Sequence, residues 1–445
     1  MKFFKNLNFW GKIGLIFFLI LNFSFIFMLF SPYIPNFIGE FRDNLLLEQC
    51  SHDIQKYRMG PIKIKLEYIN GTPIENYNVS YNQLQHEFFF GCNIFSLDSF
   101  HGAQYTGYNE SYKNYFKNLF NLAVLPFYWS YYEPQQGYFP MDSWLNNTIN
   151  WCELNNITTK GHPIQWTRAI GQPDWLPSEN NTLRYQLLEN HTKHIVSKYN
   201  NSIQYWDSVN EPTHTQPFIG LSRQDYVFNS LKWASDSNSN GLFTINDYGI
   251  LGHDYGGGPF YQLLNQLIQR NTPFQYIGFQ SHEQRTDWIP ATEIWGTLEA
   301  YSQLNKPIQI TEFAPISSPV PITNSWKKGL WSELEQAEYA RRFYTLCFSH
   351  PNINAIIWWD LCETNSWLEG SGLIRTDMTP KIVYTTLDQL INDDWHTSGS
   401  EITNSSGWVE FQGFFGNYNL SIQNDLYNYQ ISVDSDSNNE FLITI

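Results

Sequence analysis

Short apolar runs recur through the middle of the chain. Each ends in polar residues, and stretches of helical spacing fill the gaps between them. The runs lie near positions 90 (FFFGCN), 124 (NLAVLPF), 163 (TKGHPIQW), 207 (IQYWDSVNE), 245 (LFTINDY), 279 (YIGFQSH), 310 (PIQITEF) and 357 (INAIIWWD). Nearly continuous apolar runs of this length are expected of strands covered on both faces. Residues 112–119, 187–198, 226–235 and 334–347 carry the intervening helices. Strand–helix units repeated about eight times over roughly 300 residues predict an α/β fold, the (β/α)8 TIM barrel. His162, Asn210, Glu211, Asn246, Asp247, Gln280, His282, Glu312 and Trp359 fall at or just past strand ends. In such a barrel the reacting groups sit at the carboxyl ends of the strands.

The flanks follow another pattern. Residues 61–92 alternate in short strand-like pieces around a turn at NGTP, and the tail from about 401 does the same in GWVEFQGFFGNYNLSIQ, YNYQISV and FLITI. The two stretches predict a small accessory β-sandwich. Residues 13–30 form an uncharged apolar run preceded by Lys2, Lys5 and Lys12. That run predicts an N-terminal transmembrane helix, with the body of the chain extracellular by the positive-inside rule. Secretion after signal cleavage is the alternative, opposed by the length of the run and the lack of a small-residue cleavage site. The expected organisation is a cytoplasmic stub and anchor over 1–31, a stalk over 32–50, a β segment over 51–87, the catalytic barrel over 88–390 and a second β segment over 391–445. Sequons at Asn70, Asn109, Asn156, Asn190 and Asn419 are compatible with a glycoprotein.

Composition narrows the function. A net charge of −16 with no basic stripe excludes nucleic acid as a partner and fits a neutral polymer. Aromatic residues reach 18%, enough to fill a large core and still line a cleft that stacks on sugar faces. The five cysteines are scattered without metal-ligand spacing, so reduced structural thiols are expected, and neither a metal nor a cofactor. A monomer is expected.

Two carboxylates stand out, Glu211 at the fourth strand end and Glu312 at the seventh. Those ends face each other across a barrel mouth. Hydrolysis of a glycosidic bond with retention needs such a pair, one carboxyl as nucleophile and one as acid and then base. A non-catalytic carbohydrate-binding protein and a transglycosylase are the other readings.

The motifs FNLAVLPFYWSYYEPQQG, KGHPIQW, YWDSVNEP, FTINDYG, IGFQSHEQ, ITEFA and IIWWDLCETNSWL occur in this order. Over residues 86–388 the chain resembles glycoside hydrolase family 10, the β-1,4-xylanases. The resemblance implies that Glu211 is the acid/base, Glu312 the nucleophile and xylan or a related hemicellulose the substrate. It further implies that Asn210 bonds the sugar 2-OH, that Gln280 sits near the acid/base and that His282 keeps Glu312 ionised. His162 and Trp166 would line the central sugar subsite, with Trp359 and Trp367 as its aromatic walls. Tyr128 and Trp129 would belong to the substrate-binding set. The sequence departs from the family at Leu125 and Tyr128, where an Asn and a Lys grip the distal sugar, and also at Thr167 and Ala314. These departures bear on which polysaccharide fits.

Overall fold

The computed structural model describes residues 34–217 and 220–445. The apolar run over 13–30 lies outside the described residues. Among the described residues no helix is long and apolar enough to cross a membrane.

The region expected as a stalk is instead part of a helix, Ile34–Arg58, which packs on the barrel helices Glu333–Ser349 and Ala291–Ser302. Its fully buried Asp43 explains why it docks. One carboxylate oxygen of Asp43 accepts from the backbone N–H of Ala291 (2.9 Å) and the indole of Trp326 (2.7 Å), and the other from the N–H and hydroxyl of Thr292 (both 3.0 Å). Asp43 therefore caps the start of the Ala291–Ser302 helix from another element, satisfying N–H groups that have no partner within that helix. Arg58 closes the far end by donating to the carbonyls of Phe348, His350 and Ile353. The boundary drawn at position 50 thus cuts through one continuous helix.

Strands β1 (Met59–Glu67) and β2 (Asn78–His86) follow. The barrel comprises β3 (Phe89–Asn93), β4 (Leu122–Pro126), β5 (Thr158–His162), a two-residue β6 (Gln165–Trp166), β7 (Tyr205–Asn210), β8 (Leu242–Asp247), β9 (Tyr276–Phe279), β10 (Ile308–Phe313) and β11 (Ile353–Trp358). All neighbours in this sheet are parallel. It closes through Ala355 opposite Phe89 on one side and Lys160 opposite Tyr205 on the other. Eight strands make the ring, β3-β4-β5-β7-β8-β9-β10-β11, and β6 adds only an extra rung beside β7. Helices alternate with the strands, and several start on side-chain caps. Asn180, Ser222 and Ser332 each accept from the backbone N–H three residues on.

The terminal β segments pair with each other. β12 (Ser398–Ile402), β13 (Trp408–Phe414), β14 (Gly416–Ile422), β15 (Tyr427–Val433) and β16 (Glu440–Thr444) complete the chain. They form the sheets β13-β1-β16 and β12-β2-β14-β15. Ile62, Ile64 and Val409 from the first sheet and Val79, Leu420 and Ile422 from the second share one core, which makes a two-layer sandwich. All five cysteines are buried and unpaired. The side chain of Asn109 is engaged in both directions with the backbone of Phe100, so that sequon is committed to holding a loop.

Candidate active site

The polar strand ends converge on one cleft of about 560 Å³ at the carboxyl-terminal mouth of the barrel. Glu312 is the next-to-last residue of β10 and is 6% exposed. One of its oxygens accepts from the Asn246 amide (2.8 Å) and the other lies 2.9 Å from Nε2 of His282. His162 Nε2 stands 3.9 Å from the first oxygen. Burial alone would push the Glu312 carboxyl up. The hydrogen bond with His282 and the positive charge of His162 and His282 outweigh it, and the group is held below the usual carboxylate range.

Glu211 follows β7 with a left-handed backbone (φ +53°) and donates its N–H to the Asn246 carbonyl at 2.7 Å. A glutamate in this conformation is a strain of about 1–3 kcal/mol, of the kind that clusters at functional sites. Here it turns the side chain into the cleft just after the strand ends. One Glu211 oxygen lies 3.4 Å from the Gln280 amide and the other 3.3 Å from Nε of Arg168.

Side-chain amides join the two carboxylates. Gln280 donates to the Asn210 oxygen (3.1 Å), which also accepts from Asn246 (2.9 Å), the residue that donates to Glu312. The Thr311 hydroxyl donates to Asn246 Oδ1 at 2.6 Å, which fixes the orientation of that amide. With its oxygen taken twice, Asn210 has its NH2 left to donate to a hydroxyl in the cleft. Beneath this layer lies a buried ionic column. Lys160 meets Asp207 at 2.7 Å and donates to Gln309 at 2.7 Å, and the other Asp207 oxygen is 2.9 Å from His162 Nδ1. Burial pushes the Asp207 carboxyl up, but Lys160 and His162 more than compensate and hold it low. His162 is thereby oriented from behind, with its second ring nitrogen facing Glu312.

Aromatic rings wall the cleft. Tyr128 meets His162 and Trp166 edge-on or tilted, Trp359 packs on His162, and the half-exposed Trp367 lies against His282. His162, Trp166, Asn210, Gln280, His282, Trp359, Trp367 and Tyr128 thus all line the cleft with the two glutamates. Trp129 does not. It is 2% exposed, its indole donates to Glu133 (2.8 Å), and its ring stacks on His191 in the helical layer. The short helix Trp129–Tyr132 begins at that residue and turns it inward. Leu125 and Ala314 are fully buried, and the Thr167 hydroxyl donates to the carbonyl of Gln216.

Four contributors were given no role by the sequence reading. Lys160 shares a strand face with His162 by the two-residue period of β5, a signal that was available. Asp207 and Asn246 lay inside recognised motifs without a role. Arg168 follows the strand ends in a loop and had no signal. Among the described residues no cluster of side chains suits a metal ion.

A parallel eight-stranded barrel with two amide-linked, buried carboxylates at its carboxyl mouth is the architecture of barrel glycosidases. The chain belongs to glycosyl hydrolase family 10, whose model matches residues 93–389. It is 25% identical over 401 residues to the anti-sigma-I factor RsgI6 of Acetivibrio thermocellus, covering 88% of this chain and 49% of that protein. It is 26% identical over 322 residues to endo-1,4-beta-xylanase 2 of Arabidopsis thaliana, covering 71% of this chain and 28% of that one. The chain therefore spans half or less of the length of these relatives. The crystal structure of native xylanase 10B from Thermotoga maritima superposes with a TM-score of 0.57 at 20% identity, over 69% of this chain and 96% of the other. At that identity the match supports the fold.

Proposed function

We propose that the protein is a retaining glycoside hydrolase that cleaves internal β-1,4 linkages of xylan or a related hemicellulose, with Glu312 as nucleophile and Glu211 as acid/base. The carrying observation is the environment of Glu312, a buried carboxylate held ionised by His282 and Asn246 and tied through Asn210 and Gln280 to Glu211. In the first step a Glu312 oxygen attacks the anomeric carbon, the glycosidic C–O bond breaks, and the Glu211 proton passes to the leaving oxygen. In the second, water attacks the glycosyl ester, Glu211 takes its proton, and Glu312 leaves as carboxylate. The NH2 of Asn210 donates to the sugar 2-OH, and Trp166, Trp359 and Trp367 hold the ring faces. The xylanase relatives support xylan as the backbone. Tyr128 stands where the family grips the distal sugar through polar groups, so that subsite works by ring packing. In this reading the cleft works outside the cell, as the positive-inside rule gives for Lys2, Lys5 and Lys12 ahead of the 13–30 run.

The test is an assay of the full chain on β-1,4-xylan, mixed-linkage glucan and mannan with chromatographic analysis of products. Oligomers of graded length from xylan are expected. Release from glucan alone would overturn the substrate, and release from none the activity. The acid limb of the pH profile is also expected to be informative. Glu312 must be charged to attack, and its carboxyl is held low. Activity should therefore persist below about pH 4.3, where an ordinary glutamate gains its proton, and His282→Ala should move that limb upward.

A further inference from the structure

Two arginines border the cleft. Arg168 lies in the loop after β6 and Arg285 in the short turn after β9. A neutral β-glycan offers hydroxyls and ring faces, which amides and indoles suffice to bind. Guanidinium groups can also donate to hydroxyls, but their planar, charged fork is matched best by a carboxylate. The Arg168 side chain is 50% exposed, and its ionic contact is with Glu211 through Nε alone. Arg285 is exposed, lies over the Trp367 ring at 4.4 Å, and has no hydrogen bond or ion pair among the described residues. In a chain of net charge −16, the cleft thus carries two cations on its lining beside the two carboxylates Glu211 and Glu312.

We propose that this pair of cations selects a β-linked hemicellulose carrying carboxylate side groups, a uronate-substituted backbone, with Arg168 and Arg285 as its specificity-determining residues. This rests on the hydrolase reading above and narrows its substrate. Exposure decides where the carboxylate sits. The floor holds Glu211 and Glu312, both under 10% exposed, and a uronate in the main chain would bring a third carboxylate against them. The arginines are at the rim, where a branch on the backbone points. A branch carboxylate meets guanidinium there while the neutral backbone lies on the tryptophans. Arg168 also touches Glu211 through Nε and interacts with Tyr248, so a carboxylate that engages its guanidinium is bound beside the reacting bond.

The experiment uses the full chain carrying Glu312→Gln, so that ligands are not turned over, and measures binding by calorimetry. Three oligomers of equal backbone length are compared: xylotetraose, xylotetraose with one uronate branch, and a linear oligouronate. The branched oligomer is expected to bind about tenfold tighter than the unbranched one at low salt. The margin should shrink as salt rises, because the arginines are solvent-exposed. Adding Arg168→Gln or Arg285→Gln should each narrow the margin, and both together should remove it, with unfolding transitions matching the parent to show intact folds. Equal binding of the first two oligomers, or a margin that survives the double change, overturns the inference. Tighter binding of the oligouronate than of the branched oligomer also overturns it, by moving the carboxylate into the backbone. The hydrolase reading is judged separately, by whether wild-type protein cleaves the unbranched oligomer. Cleavage without a uronate margin keeps that reading and removes this one. Absence of both binding and cleavage removes both.

Discussion

Glu312→Ala is expected to lower turnover on xylan by at least about 10⁴-fold, because it removes the proposed nucleophile. The folded structure should survive, since the cavity left is small and opens on the cleft. A small anion offers a sharper test than the loss itself. Azide fits the vacated space and attacks the anomeric carbon of an activated xyloside from the face opposite the leaving group. The product from the alanine variant is then a glycosyl azide of inverted configuration, while Glu211 still protonates the leaving oxygen. Glu211→Ala gives the complementary result. Glu312 still forms the ester when the leaving group needs no proton, azide then attacks that ester, and the product keeps its original configuration. The opposite pattern of anomers, read by proton NMR, would exchange the two assigned roles.

Lys160→Met is expected to carry the largest stability cost, about 3–5 kcal/mol. Lys160 is 0% exposed and Asp207 1%, so the pair is out of reach of water. Removing the ammonium leaves the Asp207 carboxylate with His162 Nδ1 as its remaining close partner and Gln309 without the donor at 2.7 Å. Equilibrium denaturant unfolding reads the loss directly. Removing the second charge as well, in Lys160→Met with Asp207→Asn, should recover part of the stability, because the burial of an unpaired charge is the main penalty. Activity should not recover with it. His162 depends on Asp207 for its orientation beneath Glu312, and asparagine cannot supply the charge that holds the imidazole. A loss below about 1 kcal/mol in the single variant would show that the column is not held by charge.

The barrel was legible because its strands are covered on both faces and so read as apolar runs. Each of the eight positions expected for a strand carries one, from Phe89–Asn93 to Ile353–Trp358. The candidate site was legible for the same reason, since a polar residue after an apolar run has nowhere to go but the barrel mouth. Glu211, Gln280, His282 and Glu312 were readable in this way. The helix Ile34–Arg58 was not. It mixes exposed Phe37, Ile38, Phe41 and Leu45 with buried Cys50 and Ile54, and its decisive residue, Asp43, acts on partners about 250 positions away. Trp129 misled because its neighbour Tyr128 does face the cleft, and one residue of helix turns the next side chain into the core. The left-handed backbone at Glu211 and the approach of Arg168 are consequences of loop geometry, which residue pattern does not encode.

The central claim, a covalent intermediate on Glu312, is tested most directly by trapping it. A 2-deoxy-2-fluoro xylobioside with a good leaving group slows both steps by withdrawing charge from the anomeric centre, and the leaving group speeds only the first. The ester therefore accumulates. The account predicts a mass increase of one fluoroxylobiosyl group on the intact protein, mapped after digestion to the peptide containing Glu312 and absent from Glu312→Ala. A label on Glu211 or elsewhere, or an unlabelled protein that still cleaves xylan with inversion, would contradict it.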